Sequence, residues 1–215
     1  MPADSFVRKL VDISSIPLSL EPALLPKKLL KRCAAQLADE YVGLLKQRNG
    51  FLAFEGALHA LPAGKPAKGY DLQTWNDPGG WIAAYGETAN DSLFFAEDLF
   101  GEQFALKGNA IYRFDPETAR FTEVAPSLEG WAKVILEDYR TETGYELAHE
   151  WQTKHGALQP AHRLVPKIPF SLGGEYAIAN LMALDARKGM ELRADIWRQV
   201  KDLPPGTKVE IKLTE

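Results

Sequence analysis

The residues of this chain that could do chemistry are few, and their spacing argues against most of the reactions they suggest. His149-Glu150 followed by His155 invites comparison with the HExxH zinc motif, in which two histidines one helical turn apart face the same metal. Here Thr153 stands where the second histidine belongs, and His149 and His155, six residues apart, point to different faces of any helix. The spacing therefore predicts diverging histidines, His162 among them, and no bound metal. Glu97 and Asp98 are adjacent carboxylates; neighbours in a strand face opposite sides, so they cannot meet as an acid–base pair. Ser171-Leu172-Gly173-Gly174 lacks the flanking glycines of a nucleophile elbow, and neither Gly64-Lys65 nor Gly173-Gly174 completes a phosphate loop. No catalytic residue, cofactor site or metal site is assigned on these grounds, and the expectation is a protein without enzymatic activity. A polar cluster assembled from distant segments, such as His59, His149 and Glu175, is left for the fold to decide.

The elements that would position any site read as an α+β domain. Leu30, Cys33, Leu37, Tyr41, Leu44 and Leu45 recur on one face and predict a helix over 26–47, ended by Asn49-Gly50. On that face the thiol of Cys33 acts as a small hydrophobe. Residues 62–80, PAGKPAKGYDLQTWNDPGG, read as a long loop or a pair of turns. Exposed loops carry partner anchors, so Tyr70, Trp75 and Asp77 are the candidate partner-binding residues. Tyr70, Trp75, Trp81 and Tyr85 could alternatively line an aromatic cleft for a small ligand.

Five short apolar runs follow, over 81–85, 93–96, 103–106, 110–114 and 120–124. Their connections are too short for parallel crossovers, which predicts an antiparallel meander. Asp115-Pro116 marks one of its turns. Ser127 is placed to cap a helix whose stripe is Leu128, Trp131, Val134, Ile135 and Tyr139, and Glu129 sits near its positive end. That helix should lie across the sheet. Beyond residue 140 come the polar TETGYELAHEWQTKHG, a strand-like EYAIANLMALD, a helical spacing over 190–203 and an alternating TKVEIKL. The expected organisation is an N-terminal segment (1–25), an α+β core (26–139) and a C-terminal elaboration (140–215) packed on it.

Composition narrows the partners. With 25 Lys plus Arg against 29 Asp plus Glu, the chain has no basic footprint for a nucleic-acid backbone. A single cysteine suits a reducing cytoplasm. Asp12, Ser14, Ser15 and Pro17 interrupt any secretory apolar run, and no segment has the apolar length to span a bilayer.

The order of motifs in 26–139 resembles the SUKH superfamily, which includes a fungal cell-wall-synthesis regulator and many bacterial toxin-immunity proteins. The resemblance is carried by Asn49-Gly50-Phe51, Ala96-Glu97-Asp98 with Gly101, Ile111-Tyr112, Phe114-Asp115, and Ala125 with Ser127-Leu128 and Trp131. The turn after the acidic strand end is shorter than the family's, and residues 140–215 lie outside its pattern. The resemblance implies a curved antiparallel sheet with flanking helices and a non-enzymatic protein-binding module without cofactor. Its partner would be a nuclease-like toxin domain whose active site it occludes. The fungal branch implies an intracellular interaction scaffold instead.

Overall fold

The computed structural model describes residues 4–204 and 206–208. The chain opens with helix α1 (Phe6–Asp12), capped by the Ser5 hydroxyl, which accepts from the Arg8 amide. The helix expected over 26–47 is two helices, α2 (Lys27–Leu30) and α3 (Ala35–Gln47). The break has a tertiary cause: Cys33 forms a parallel bridge with Gly108, and the Ala34 amide donates to the Gly108 carbonyl. Cys33 thus lies half-buried off any helix face, and burial pushes its thiol up to about 11. After α3, Gly50 adopts φ +70°, and a Cβ there would meet Pro62 at 2.7 Å, so the turn admits only glycine.

Strands β1 (Phe51–Ala53) and β2 (Leu58–Ala60) follow, then short helices α4 (Leu72–Trp75), α5 (Trp81–Ala84) and α6 (Glu87–Asn90). The run over 81–85, expected as a strand, is therefore helix α5 with Tyr85 as its C-cap. Trp81, Ile82 and Tyr85 are its buried positions, a spacing that fits one helical turn as well as a strand, and so short a run does not separate the two. Then come β3 (Leu93–Glu97), β4 (Gln103–Lys107), β5 (Ala110–Asp115) and β6 (Arg120–Ala125). Among the described residues β1 to β6 pair in sequence order as one six-stranded antiparallel meander. The sheet is larger than expected, because β1 and β2 are only three residues each and carry little pattern.

Helix α7 (Leu128–Glu137) begins at Ser127, whose hydroxyl accepts from the Gly130 amide. Leu128, Trp131 and Ile135 are buried, as the stripe requires, and Tyr139 begins the next helix. The Glu129 carboxylate serves α1 instead of its own helix, accepting from Ser5 Oγ and from the Phe6 and Val7 amides. The polar stretch after it is helical, α8 (Tyr139–Thr143) and α9 (Tyr145–His155), joined at Gly144 with φ +71°. A Cβ at Gly144 would come within 2.6 Å of the Phe100 ring. Strands β7 (His162–Pro166) and β8 (Leu181–Asp185) form a separate antiparallel pair. Helix α10 (Ala186–Val200) starts earlier than the apolar spacing suggested, because Asp185 caps the Arg187 and Lys188 amides. Of the strand expected over 207–213, everything beyond 208 lies outside the described residues.

Both faces of the meander are covered. On one, Tyr41 of α3 and Trp131 of α7 pack on Phe95 at 5.4 and 5.0 Å between ring centroids. On the other, Trp81 meets Phe94 at 4.8 Å, and Tyr85 meets Phe114 at 5.0 Å and Trp197 of α10 at 5.5 Å. Two-sided cover is why all of β3 is buried and reads as a continuous apolar run. Ala186, Met190 and Ala194 of α10 belong to the same core as α1, while Leu164, Leu181 and Ala148 form a smaller cluster with Leu99 and Phe100. Among the described residues no helix is long and apolar enough to cross a membrane.

Candidate functional site

The three loop residues expected as partner anchors have separate fates. Trp75 is fully buried, with its indole N–H donating to Gln103 Oε1 at 2.8 Å, so it is a core residue and not an exposed anchor. The reason is local: Asp71 caps α4 by accepting from the Gln73 and Thr74 amides, and Trp75, at the end of that turn, faces inward. Tyr70 is half-buried beside it, its hydroxyl donating to the Asp185 carboxylate at 2.9 Å. Asp77 is exposed and accepts from the Gly79 amide. The aromatic quartet does assemble, Tyr70 on Trp75, Trp75 on Trp81 and Trp81 on Tyr85 at 5.2 to 5.9 Å. Trp75, Trp81 and Tyr85 fill one another's space, so the quartet is packed core and not a ligand cleft.

The polar groups that the fold brings together lie at the end of β3. Cross-strand register sets His59 opposite Glu97 and Glu97 opposite Gln103, so three polar side chains from three strands share one face. Arg163 of β7 closes the row: its Nε lies 2.9 Å from Glu97 Oε1. His59 Nδ1 is 2.9 Å from the same oxygen, and Gln103 Nε2 donates to Oε2 at 3.1 Å. Burial alone would raise the Glu97 carboxyl, but Arg163, His59 and Gln103 outweigh it and bring it down to about 2. Burial lowers His59, whose Nδ1 faces the Glu97 carboxylate, an acceptor, and so donates to it. This network is sealed, every member being under 5% exposed.

Asp98, the next residue, faces a different environment. Its Oδ1 accepts from the Phe100 and Glu102 amides at 2.9 Å and so shapes the turn into β4. Arg113 reaches Asp98 at 3.4 Å, Glu102 at 3.0 Å and the Glu142 carboxylate, so one guanidinium answers three acids. Burial first, then mutual repulsion, holds Asp98 well above the usual carboxylate range, and burial raises Glu102 as well.

Glu102 also lines an open cleft of about 270 Å³ between the β5–β6 turn, the β7–β8 connection and α10. Asp115 and Glu117 stand on its walls, and Arg193 lies at its buried edge with donors taken by the Phe100 and Gly189 carbonyls and Met190 Sδ. Glu117 holds the opposite wall by accepting from the Phe170 and Ser171 amides. Phe170 and Tyr176 stack there at 3.9 Å and 7°, with Phe100 edge-on to Phe170 at 5.3 Å. Tyr176 is 67% exposed, and Ile168 and Leu172 of the same connection are also exposed. Glu117, Thr118 and Ser171 are shared with an adjoining groove of about 420 Å³ along α10. Sequence reasoning missed this cleft, reading Asp115-Pro116-Glu117-Thr118 as a turn; its one legible signal was an acidic turn with an aromatic pair near Gly173-Gly174.

The histidines are dispersed in their contacts. His149 Nδ1 pairs with Glu55 at 3.0 Å on the surface, His155 packs tilted against Trp151, and His162 lies in β7. His59, His149 and Glu175 share no partner: His59 bonds Glu97, His149 bonds Glu55, and the Glu175 carbonyl accepts from Asn180. Among the described residues no three metal-ligating side chains converge.

No protein-family model matches the chain, and no curated protein does. Among solved structures the chain is similar to the crystal structure of Atu4351 from Agrobacterium tumefaciens, at 13% identity, with a TM-score of 0.55 over 86% of each chain. The likeness is one of fold. It confirms an α+β architecture with an antiparallel sheet flanked by helices.

Proposed function

We propose that the protein works in the cytoplasm by stoichiometric binding to another protein, a nuclease-like toxin domain whose active site it occludes, with no turnover of its own. The observation that carries this reading is the cleft beside Glu102. Five carboxylates, Asp98, Glu102, Asp115, Glu117 and Glu142, lie in or behind it with two guanidiniums, Arg113 and Arg193, and exposed Tyr176 rims the opening, with exposed Leu172 in the adjoining groove. An acidic, aromatic-rimmed surface suits a basic protein face of the kind that grips nucleic acid, because complementary charge speeds encounter and disfavours wrong partners. The SUKH-like order of motifs from Asn49 to Trp131 supports the same reading.

The test is co-expression with the toxin domain encoded by an adjacent gene. Growth should be rescued and a one-to-one complex should co-purify. Toxicity unrelieved by this protein, with no complex, would overturn the reading, and a complex with an endogenous non-toxic protein would establish the scaffold alternative.

A further inference from the structure

The geometry points to the cleft as a socket for a single arginine side chain of the protein partner, its guanidinium stacked on the Phe170–Tyr176 pair and forked onto the carboxylates of Glu102 and Glu117. This rests on the protein-binding reading above and names the chemistry of the contact. At about 270 Å³ the cleft falls just under the ~300–1,000 Å³ of sites that engulf a whole small molecule, and it opens into a groove that can take flanking backbone.

Charge selects the sign of the occupant. The acids at and behind the cleft exceed the cations, and the cation that lines it, Arg193, already donates to two carbonyls and a thioether. The field reaches the rim: burial first, and then Glu102, Glu117, Asp115 and Asp98, push the Tyr176 hydroxyl up. An anion would meet that excess directly. A bare metal ion is poorly served, because the described carboxylates do not converge as ligands.

Shape selects arginine over lysine. Tyr176 lies flat on Phe170 and is 67% exposed, which leaves a ring face for a planar cation. The chain builds the same combination internally: Arg113 lies 4.8 Å over the Phe104 ring while bonding Asp98, Glu102 and Glu142. The cleft repeats that pairing of aromatic face and acids with its open side toward solvent.

The probe is N-acetyl-arginine amide, titrated into the full chain and followed through the backbone amide NMR signals of Glu117, Phe170 and Ser171. Saturable shifts confined to these and neighbouring amides are expected, with N-acetyl-lysine amide several-fold weaker. Glu117→Gln and Tyr176→Ala should each weaken binding by about tenfold, the scale of one cation–π or charge-assisted contact. Tyr176→Ala leaves the Glu117 hydrogen bonds in place and keeps the test decisive if Glu117→Gln disturbs the loop. No shift at saturating probe, or shifts spread over surface acids at large, would overturn the socket. A toxin complex of unchanged affinity in the double variant would refute it while the proposed function stood; binding of the arginine amide without any toxin complex would do the reverse.

Discussion

Glu97 and Asp98 are neighbours in sequence and opposites in chemistry. Glu97 lies in a row laid down by strand register, where one carboxylate meets one guanidinium, an imidazole and an amide, all buried. Asp98 belongs to a set in which three acids share Arg113, and the surplus borders an open cleft. A matched, sealed network pins two parts of the chain together, here the meander and β7. A mismatched network that opens to solvent leaves charge unbalanced beside the opening. The difference teaches that burial alone says little of an acid's role; the balance of its neighbours and their access to solvent separate the two cases.

The largest test of this contrast is Glu97→Gln. It leaves Arg163 buried without its counter-charge and should cost about 3–5 kcal/mol in urea unfolding at pH 7, whereas removing both charges with Glu97→Gln and Arg163→Met should recover most of that loss. A tolerated single variant would break the comparison at its root. Next comes pH. Folded Glu97 titrates at about 2, and an unfolded glutamate at ~4.3. Its contribution is therefore complete above that unfolded value and lost as pH falls toward 2. The wild-type acid limb should be steeper than that of Glu97→Gln over that window.

Asp98→Asn should behave in the opposite way. An amide oxygen can still accept from the Phe100 and Glu102 amides, and the crowded charge is gone, so the variant should be no less stable than the wild type at pH 7. The folded Asp98 carboxyl is raised from its ordinary 3.8, so the wild type loses stability as pH rises above that value. The variant does not, and its relative stability should climb with pH; a fall would mean Asp98 is held as tightly as Glu97. The smallest effect belongs to Tyr176→Ala, which should shift stability by no more than about 0.5 kcal/mol because the ring is mostly exposed. A larger loss in thermal unfolding would make the rim structural.

Much of the fold was legible. The turns at Gly108-Asn109 and Asp115-Pro116 are short, so β4, β5 and β6 had to pair antiparallel, and Ser127 announced α7 through its cap. Residues 81–85 were misread because a five-residue apolar run fits either period, and 26–47 because nothing local reveals that Cys33 will bridge to Gly108. The candidate site was least legible. Trp75 looked like an anchor in a Pro/Gly-rich loop, yet its indole is satisfied by Gln103, 28 residues away.

By itself, then, the sequence determined the local chemistry of this protein: which segments turn, where α7 is capped, that Glu97 and Asp98 cannot face the same way, and that the histidine spacing fits no zinc motif. Tertiary structure decided everything that depends on who sits opposite whom. Register placed His59 and Gln103 against Glu97, packing turned Trp75 inward, and the β7–β8 connection folded back to set Phe170 and Tyr176 over Glu117. The physical reason is that charge balance and exposure belong to a neighbourhood, and a neighbourhood drawn from residues 102, 117, 176 and 193 exists only once the chain has closed.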